Sequence, residues 1–346
     1  MKYPLLFAVT ATVLFACQPT ENASTSEAEG NAAAPTELQD QVDASTRRLD
    51  SLNNLIKDDA FNLDVLEARA QEYLRRQNLR YAAADIAAVL AEDSTRVRAL
   101  ELWGDLGFAT NKTRESRDAW TKCMQQDPTY VPCRLKMAEL YHIVTEFEKS
   151  AKLVDEVLSL DPKNPEAHFL KGLLMRDALA DTARALEWFQ RAIDLDNDYL
   201  EALDMCGVLY SVQGNPLALG YFNRLLELEP ESRNFTYNRG AFYMGQNRWN
   251  EAIEDFTRCV QLDPRDIESM FNLGYIHLQL KVYNTARDYF SQAISVQPVN
   301  HRAYYGRGYA HEMLGDVTNA ARDYETALSY NPNHRGSQEG LRRTRN

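Results

Sequence analysis

The sequence predicts an all-α protein, an α-solenoid of about eight helical hairpins with an N-terminal capping helix. The first observation behind this prediction is a skeleton of Gly, aromatic residue, small residue and Pro that returns every 34 residues. It is visible when GAFYMGQNRWNEAIEDFTRCVQLDP, which begins at Gly240, is set beside GYIHLQLKVYNTARDYFSQAISVQP, which begins at Gly274. The second observation is composition: 45% of the 346 residues are apolar and 25% are charged, which is typical of a soluble chain that buries a core.

Residues 1–16 are predicted to be a signal peptide that is not part of the fold. Lys2 precedes an uncharged, mostly apolar stretch that has the length of a secretory segment and is too short to span a bilayer. The letters LFAC at residues 14–17 resemble the lipobox of bacterial lipoproteins, which implies cleavage before Cys17 and lipidation of that residue. The alternative is ordinary secretion with a free N-terminal Cys17. In bacterial lipoproteins, a residue other than Asp after the lipidated Cys implies transport to the outer membrane, and Gln18 meets this condition. The sequence does not decide whether the protein faces the periplasm or the outside.

Residues 17–44 are predicted to be the lipidated Cys17 and a flexible acidic tether. Residues 18–45 contain six acidic side chains, no Lys or Arg, and few large apolar side chains, so burial cannot offset the cost of ordering. Residues 45–62 are predicted to form the N-terminal capping helix. A Ser or Thr N-cap is followed there by Leu49, Leu52 and Ile56 at helical spacing, in phase with the second helix of a repeat unit.

The recurring skeleton covers residues 63–334. Position 8 of the unit is Gly and position 32 is Pro in six units each, while position 24 is large and mostly aromatic. This pattern resembles the tetratricopeptide repeat, which implies a right-handed superhelix in which small and large residues let paired helices pack closely. Position 7 departs from the family, because it is polar in four units (Arg69, Lys171, Arg239 and Arg307). The predicted units are 63–96, 97–130, 131–164, 165–199, 200–232, 233–266, 267–300 and 301–334.

The C-terminal segment, residues 335–346, is short and basic. It is either a frayed capping turn, which would cover the apolar face of the last unit, or a basic tail that contacts anionic lipid or another protein.

The sequence contains no catalytic motif and indicates neither an enzyme, a cofactor nor a metal site. GRGYAH, which begins at Gly306, has the start of a dinucleotide loop but lies inside a predicted first helix. His277 and His311 share position 11 and are expected to be packed side chains with polar partners rather than metal ligands. The formal net charge of -12 opposes binding to nucleic acid.

Four cysteines follow Cys17. Cys123, Cys206 and Cys259 lie at positions expected to be buried, while Cys123 and Cys133 flank one turn between units. In an oxidising compartment these two residues form a disulfide that joins the second and third units, by our hypothesis.

The resemblance implies that first helices line a concave surface through positions 2, 5, 6, 9, 12 and 13. In the first five units these positions are mainly acidic, and the predicted partner-binding residues there are Glu101, Asp105, Glu201 and Asp204. In the last three units they are aromatic or amide side chains with few charges, which suits an extended or helical peptide. The predicted partner-binding residues in those units are Tyr237, Asn238, Met244, Phe271, Asn272, Tyr275, Leu278, Tyr305 and Tyr309.

Asn238 and Asn272 stand one period apart and are predicted to bind a peptide backbone as a ladder of amides. The alternative is that Tyr at position 5 and Asn at position 6 are ordinary family letters with no ligand. Some relatives hold the acidic tail of a chaperone with Lys and Arg, whereas this surface is acidic. The expected ligand is therefore a segment that mixes basic and apolar residues.

These observations predict a non-enzymatic, lipid-anchored adaptor of the bacterial cell envelope that recruits another envelope protein in its concave groove. Three alternatives remain: a structural or assembly subunit of an envelope or secretion complex that uses its convex face, a module that binds peptidoglycan or glycan through tyrosines, and an enzyme with an unrecognised site.

Overall fold

The computed structural model describes residues 37–59 and 62–345, which divide into two compact units at residues 60 and 61. Every regular element in this part of the chain is an α-helix. None of these helices combines the length and apolar character needed to cross a bilayer.

The described part of the first unit is one helix, α1 (Glu37–Asp58). The predicted boundary at Ser45 was wrong, because residues 37–44, assigned to the tether, are helical. Composition led to that error: the segment is acidic and poor in large apolar residues, but after Pro35 it lacks Gly and Pro and contains good helix formers. The predicted signal peptide, Cys17 and the remaining tether lie outside the described residues. The capping role of this segment stays a prediction.

The second unit contains sixteen helices that alternate as first and second helices of eight hairpins, followed by a final helix. Each hairpin falls within one of the eight predicted units, and the α-solenoid is confirmed. The helices are α2 (Leu63–Arg75), α3 (Leu79–Glu92), α4 (Val97–Ala109), α5 (Thr113–Gln126), α6 (Val131–Ile143), α7 (Phe147–Leu160), α8 (Pro165–Asp177), α9 (Thr182–Leu195), α10 (Leu200–Val212), α11 (Ala218–Leu228), α12 (Arg233–Gly245), α13 (Trp249–Leu262), α14 (Ile267–Gln279), α15 (Tyr283–Val296), α16 (His301–Met313), α17 (Val317–Tyr330) and α18 (Arg335–Arg345).

The core of each hairpin is the large residue at position 24. In seven units it is almost fully buried and larger than Val, because the small residues at position 8 leave room for it. The third unit has only Val154 at this place. The seven side chains are Ile86, Trp120, Phe189, Phe222, Phe256, Phe290 and Tyr324.

The turn inside every hairpin contains one residue with positive φ, which ends the first helix. Only Gly214 and Gly315 are glycines among these eight residues. The other six turns use residues that carry a Cβ, including the β-branched Thr145 with φ of 59°. The left-handed conformation at these turns therefore does not depend on glycine in most hairpins.

The polar residues at position 7 are held by ion pairs. Arg69, Arg239 and Arg307 each reach a buried aspartate on the second helix of their own hairpin, with N–O distances of 2.7 Å. Each of these arginines donates two hydrogen bonds to its aspartate, which fixes the geometry of the pair. The position that departs from the family pattern is thus a recurrent link between the two helices. The aspartates are Asp85, Asp255 and Asp323.

Cys123 of α5 and Cys133 of α6 are joined by a disulfide, with Cα atoms 6.4 Å apart. The bond connects the second and third hairpins, as the sequence hypothesis proposed. Cys206 and Cys259 are free and buried, and burial raises the pKa of the Cys259 thiol to about 11.

The C-terminal segment is a helix rather than a frayed turn. Helix α18 packs against α17 and α16. Arg343 Nε and Nη2 donate to the Glu312 carboxylate at 2.6 and 2.9 Å, and the Tyr324 hydroxyl donates to the same carboxylate at 2.5 Å. The hydrogen bonds from Arg343 lower the pKa of Glu312. These contacts fix α18 on the last hairpin.

Candidate partner-binding face

The first helices form one continuous surface, which we call the inner face. Successive first helices contact one another at α2–α4, α6–α8, α10–α12 and α14–α16. Within residues 62–345, no pair of successive second helices is packed to the same extent. In the described part of the chain, four of the seven successive pairs of first helices are thus in closer contact than any successive pair of second helices. All thirteen predicted partner-binding residues lie on first helices, namely α4, α10, α12, α14 and α16.

Five rings of the last three hairpins form what we call the aromatic floor: Tyr237, Phe271, Tyr275, Tyr305 and Tyr309. Three of them, at position 5, are half-buried because each packs on the position-24 ring of its own hairpin. The centroid distances are 5.4 Å for Tyr237, 5.5 Å for Phe271 and 6.0 Å for Tyr305. Burial raises the pKa of Tyr237 and that of Tyr305. These rings therefore support the fold as well as lining the inner face.

Tyr275 is the most accessible ring of the aromatic floor, with 41% of its surface exposed. Tyr309, at the equivalent position of the next hairpin, is half-buried. Met244 and Leu278 are also half-buried and pack on the adjoining core clusters. A ligand on this part of the inner face would therefore meet Tyr275 first.

The two predicted ladder amides are already engaged in contacts between hairpins. Asn238 Nδ2 donates to Asp204 Oδ1 at 3.2 Å, and Asn272 Nδ2 donates to the Tyr237 hydroxyl at 3.2 Å. Burial raises the pKa of Asp204, and the hydrogen bond from Asn238 opposes that rise. Because an amide has two N–H donors and a carbonyl acceptor, each Asn retains capacity for a ligand. The ladder exists, but part of its function is to connect α10, α12 and α14.

The aromatic half of the inner face carries more charge than the sequence reading indicated. The Arg302 guanidinium lies 4.2 Å from the centroid of the Phe271 ring, close enough for a cation–π contact. The Arg233 guanidinium lies 6.0 Å from the Tyr237 centroid and pairs with Asp266 at 2.8 Å. Arg302 was not among the predicted partner-binding residues, although it occupies position 2 of the last unit and position 2 was assigned to the concave surface.

In the acidic half of the inner face, on α4 to α10, some carboxylates are paired within the protein and others are exposed to solvent. Glu101 is buried, and its carboxylate accepts from Arg98 Nη1 at 2.6 Å and from the Tyr130 hydroxyl at 2.6 Å. This predicted partner-binding residue is therefore occupied by internal partners. Glu201 is exposed, as a ligand contact requires.

Lys136 and Glu166 were not among the predicted partner-binding residues. Both lie close enough to Asp105 for their charges to interact with its carboxylate. Burial alone would lower the pKa of Lys136, but the neighbouring carboxylates, led by Asp105 and Glu139, raise it overall. Burial raises the pKa of Asp105 and of Glu166. The raised pKa of Lys136 therefore indicates an excess of negative charge around this residue, whereas the shifts of Asp105 and Glu166 come first from burial.

Neither histidine at position 11 belongs to a metal-ligand group, and no cluster of three or more potential ligands occurs among the residues whose placement is described. His311 Nδ1 lies 3.3 Å from Asp316. His277 stacks on Tyr289 at 5.6 Å, and its Nδ1 has no hydrogen-bond partner among the described residues. The expectation of a polar partner is therefore met by His311 and was wrong for Nδ1 of His277.

Comparison with known families agrees with the repeat pattern. A family model described as tetratricopeptide repeat matches residues 144–199 and 271–335, and a second model with the same description matches residues 236–266. The matched segments are thus similar to tetratricopeptide repeats. Protein O-mannosyl-transferase TMTC1 of Homo sapiens is 24% identical over 198 residues, which are 56% of this chain and 20% of that protein. The present chain thus spans a fifth of the length of this relative.

Solved tetratricopeptide-like structures share the fold. The C-terminal part of a TPR repeat-containing protein from Cytophaga hutchinsonii has a TM-score of 0.59 at 17% identity, covering 69% of this chain and 98% of that one. The APC/C hetero-tetramer Cut9-Hcn1 gives a TM-score of 0.55 at 16% identity, covering 89% of this chain and 60% of that chain. At these identities the likeness establishes the α-solenoid and nothing about partners.

Proposed function

We propose that this chain is a non-enzymatic protein-interaction scaffold that binds an extended or helical segment of a partner protein on its inner face. The observation that carries the proposal is the series of side-chain contacts between the first helices of hairpins five, six and seven. Asp204, Asn238, Tyr237 and Asn272 are linked by hydrogen bonds from α10 to α14. Beside them Tyr275 offers an exposed ring, and exposed aromatic side chains are typical anchors of interfaces.

The charge of the inner face favours a partner segment that combines basic and apolar residues. Carboxylates in excess lie on α4 to α10, and rings lie on α12 to α16. A segment that runs along both parts would place cationic side chains near the first and apolar side chains on the second. Complementary charge increases association rates and selects against acidic competitors.

Benzoylphenylalanine, a photoreactive residue, placed at Tyr275 is expected to crosslink a discrete partner in intact cells. The matched control is Tyr330 on the second helix α17, which is 43% exposed and so equally accessible. Crosslinked products would be identified by mass spectrometry.

The control also tests a second candidate function, an assembly subunit that uses its second helices. That candidate is favoured by the exposure of two tyrosines on second helices, Tyr81 and Tyr330. Crosslinking at Tyr330 with none at Tyr275 would replace the inner-face proposal with this one. Equal yields of the same products at Tyr275 and Tyr330 would also contradict the inner-face proposal.

We further propose that the protein is anchored in the cell envelope through lipid on Cys17, at the outer membrane, where it recruits another envelope protein. The support is the lipobox-like LFAC sequence and the Gln at the following position.

Cys17→Ser is expected to abolish acylation and to move the protein out of the membrane fraction, because the lipidated side chain is lost. Cell fractionation and intact mass would measure both effects. Gln18→Asp serves as the control: it should keep the lipid and change only the membrane in which the protein is found. Membrane retention of an unacylated Cys17→Ser protein would refute the anchor.

A further inference from the structure

A cleft of about 340 Å³ opens on the inner face among α2, α4, α5 and α6, within the first three hairpins. Its walls include Leu74, Phe108 and Trp120, and its charged lining includes Asp105, Lys136 and Glu139. Phe108 is 40% exposed, whereas Trp120 is almost fully buried. The volume lies at the lower end of the range of ligand pockets, so the cleft suits one side chain or a group of similar size.

The carboxylate of Asp105 is incompletely compensated inside the fold. Its Oδ1 atom is buried and has no hydrogen-bond partner in the part of the chain that the structure describes. The indole N–H of Trp120 donates to the Glu101 carbonyl oxygen at 3.2 Å, and it also lies close enough to the Asp105 carboxylate to oppose the rise in its pKa that burial causes. Burying a carboxylate without a full set of donors is unfavourable, and a cation placed nearby reduces that cost.

The charges around the cleft leave an excess of negative charge. Glu101 is neutralised by Arg98 at 2.6 Å. Arg75 also lines the cleft, where it pairs with Glu72 at 3.0 Å. The carboxylates of Asp105 and Glu139, together with nearby Glu166 outside the lining, then share the ammonium of Lys136. The raised pKa of Lys136 reports the same excess, because nearby negative charge stabilises its protonated form.

We propose that this cleft binds the guanidinium group of an arginine side chain on the partner segment. Asp105 and Glu139 supply the negative charge, and the exposed ring of Phe108 supplies an aromatic face against which a guanidinium packs. The half-buried Leu74 provides apolar surface for the methylene groups of the arginine. The proposal rests on the proposed function in one respect, since the arginine belongs to the segment bound on the inner face.

The test uses N-acetyl-arginine amide as the probe and the indole N–H resonance of Trp120 as the readout in the folded protein. A saturable shift of this signal is expected, with a dissociation constant at least about tenfold weaker in Asp105→Asn. The citrulline analogue, which has nearly the same shape without the charge, should give no saturable shift. N-acetyl-lysine amide should bind more weakly than the arginine probe because it lacks the planar donor group.

Two variants keep the test independent of folding. Glu139→Gln should weaken binding in the same direction, and Asp118→Asn, an exposed site on α5, should leave it unchanged. Circular dichroism would verify that Asp105→Asn is folded. Equal binding of the citrulline analogue, stronger binding of the lysine probe, or wild-type affinity in both Asp105→Asn and Glu139→Gln would overturn the proposal. Because this probe does not touch the aromatic floor, its result and the crosslinking result at Tyr275 can fail separately.

Discussion

Replacing Gly172 with Ala is expected to destabilise the fourth hairpin by about 2–3 kcal/mol. Gly172 lies on α8 against the Phe189 ring of α9, and a Cβ built on it falls 2.4 Å from Cε1 and 2.5 Å from Cδ1. Phe189 is fully buried and also packs on Phe169 at 5.4 Å, so the ring cannot yield without opening other contacts. This strain exceeds the gain of about 1 kcal/mol that Ala has over Gly in a helix.

Gly220→Ala is the matched control for Gly172→Ala. Gly220 is also helical, but a Cβ there meets nothing within 4 Å. The control should be neutral or stabilise by up to about 1 kcal/mol. Because a repeat array need not unfold in one step, hydrogen exchange of peptides from α8 and α9 is the appropriate measurement, supported by urea unfolding. Unchanged protection in Gly172→Ala would show that the ring is not held against this glycine.

The architecture was accessible from sequence because its defining contacts lie within one unit. Gly240 and Phe256 illustrate this: a Cβ on Gly240 would lie 3.3 Å from the ring, and the two residues are a fixed number of positions apart in the repeat. Contacts of this kind repeat with the period, so spacing alone reveals them. The start of α1 at Glu37 has no such spacing, and composition misplaced it.

The site was less accessible because its contacts run between units. The sequence assigned Asn238 and Asn272 to the right surface, but their acceptors Asp204 and Tyr237 belong to the preceding hairpins. A repeat position specifies the face of a helix and not the rotamer or partner of its side chain. The placement of Arg302 over Phe271 likewise depends on how two hairpins stack.

The partners of the acidic side chains on α4 were not predictable for the same reason, because a repeat position does not specify which side chains of other hairpins it meets. The sequence predicted an acidic surface from Glu101 and Asp105, which are four residues apart on α4. The sequence did not distinguish these two residues. In the structure, Tyr130 and Arg98 donate hydrogen bonds to Glu101, whereas Oδ1 of Asp105 lacks a partner among the described residues. The difference arises because side chains from three hairpins meet around the cleft.

Asp255→Ala is expected to destabilise the sixth hairpin by about 2 kcal/mol, because it removes two charge-assisted hydrogen bonds between α12 and α13. Asp255 is buried, and it accepts from Arg239 Nε at 2.9 Å and from Nη2 at 2.7 Å. Arg239 is partly exposed and keeps a bond to Asn223 at 2.9 Å, so part of its charge remains solvated in the variant. Urea unfolding and hydrogen exchange of α12 and α13 would measure the loss.

A double-mutant cycle separates this pair from general damage to the hairpin. Arg239→Leu should cost more than Asp255→Ala, about 3 kcal/mol, because it leaves a buried carboxylate without its cation. The double variant should be less destabilised than the sum of the two by about 2 kcal/mol, since neither charge is then left alone. Glu254→Ala, an exposed neighbour on α13, is the control and should change stability little. Additive effects of the two single variants would mean that this position-7 arginine and its aspartate act independently, and that the recurrent ion pair does not connect the helices of this hairpin.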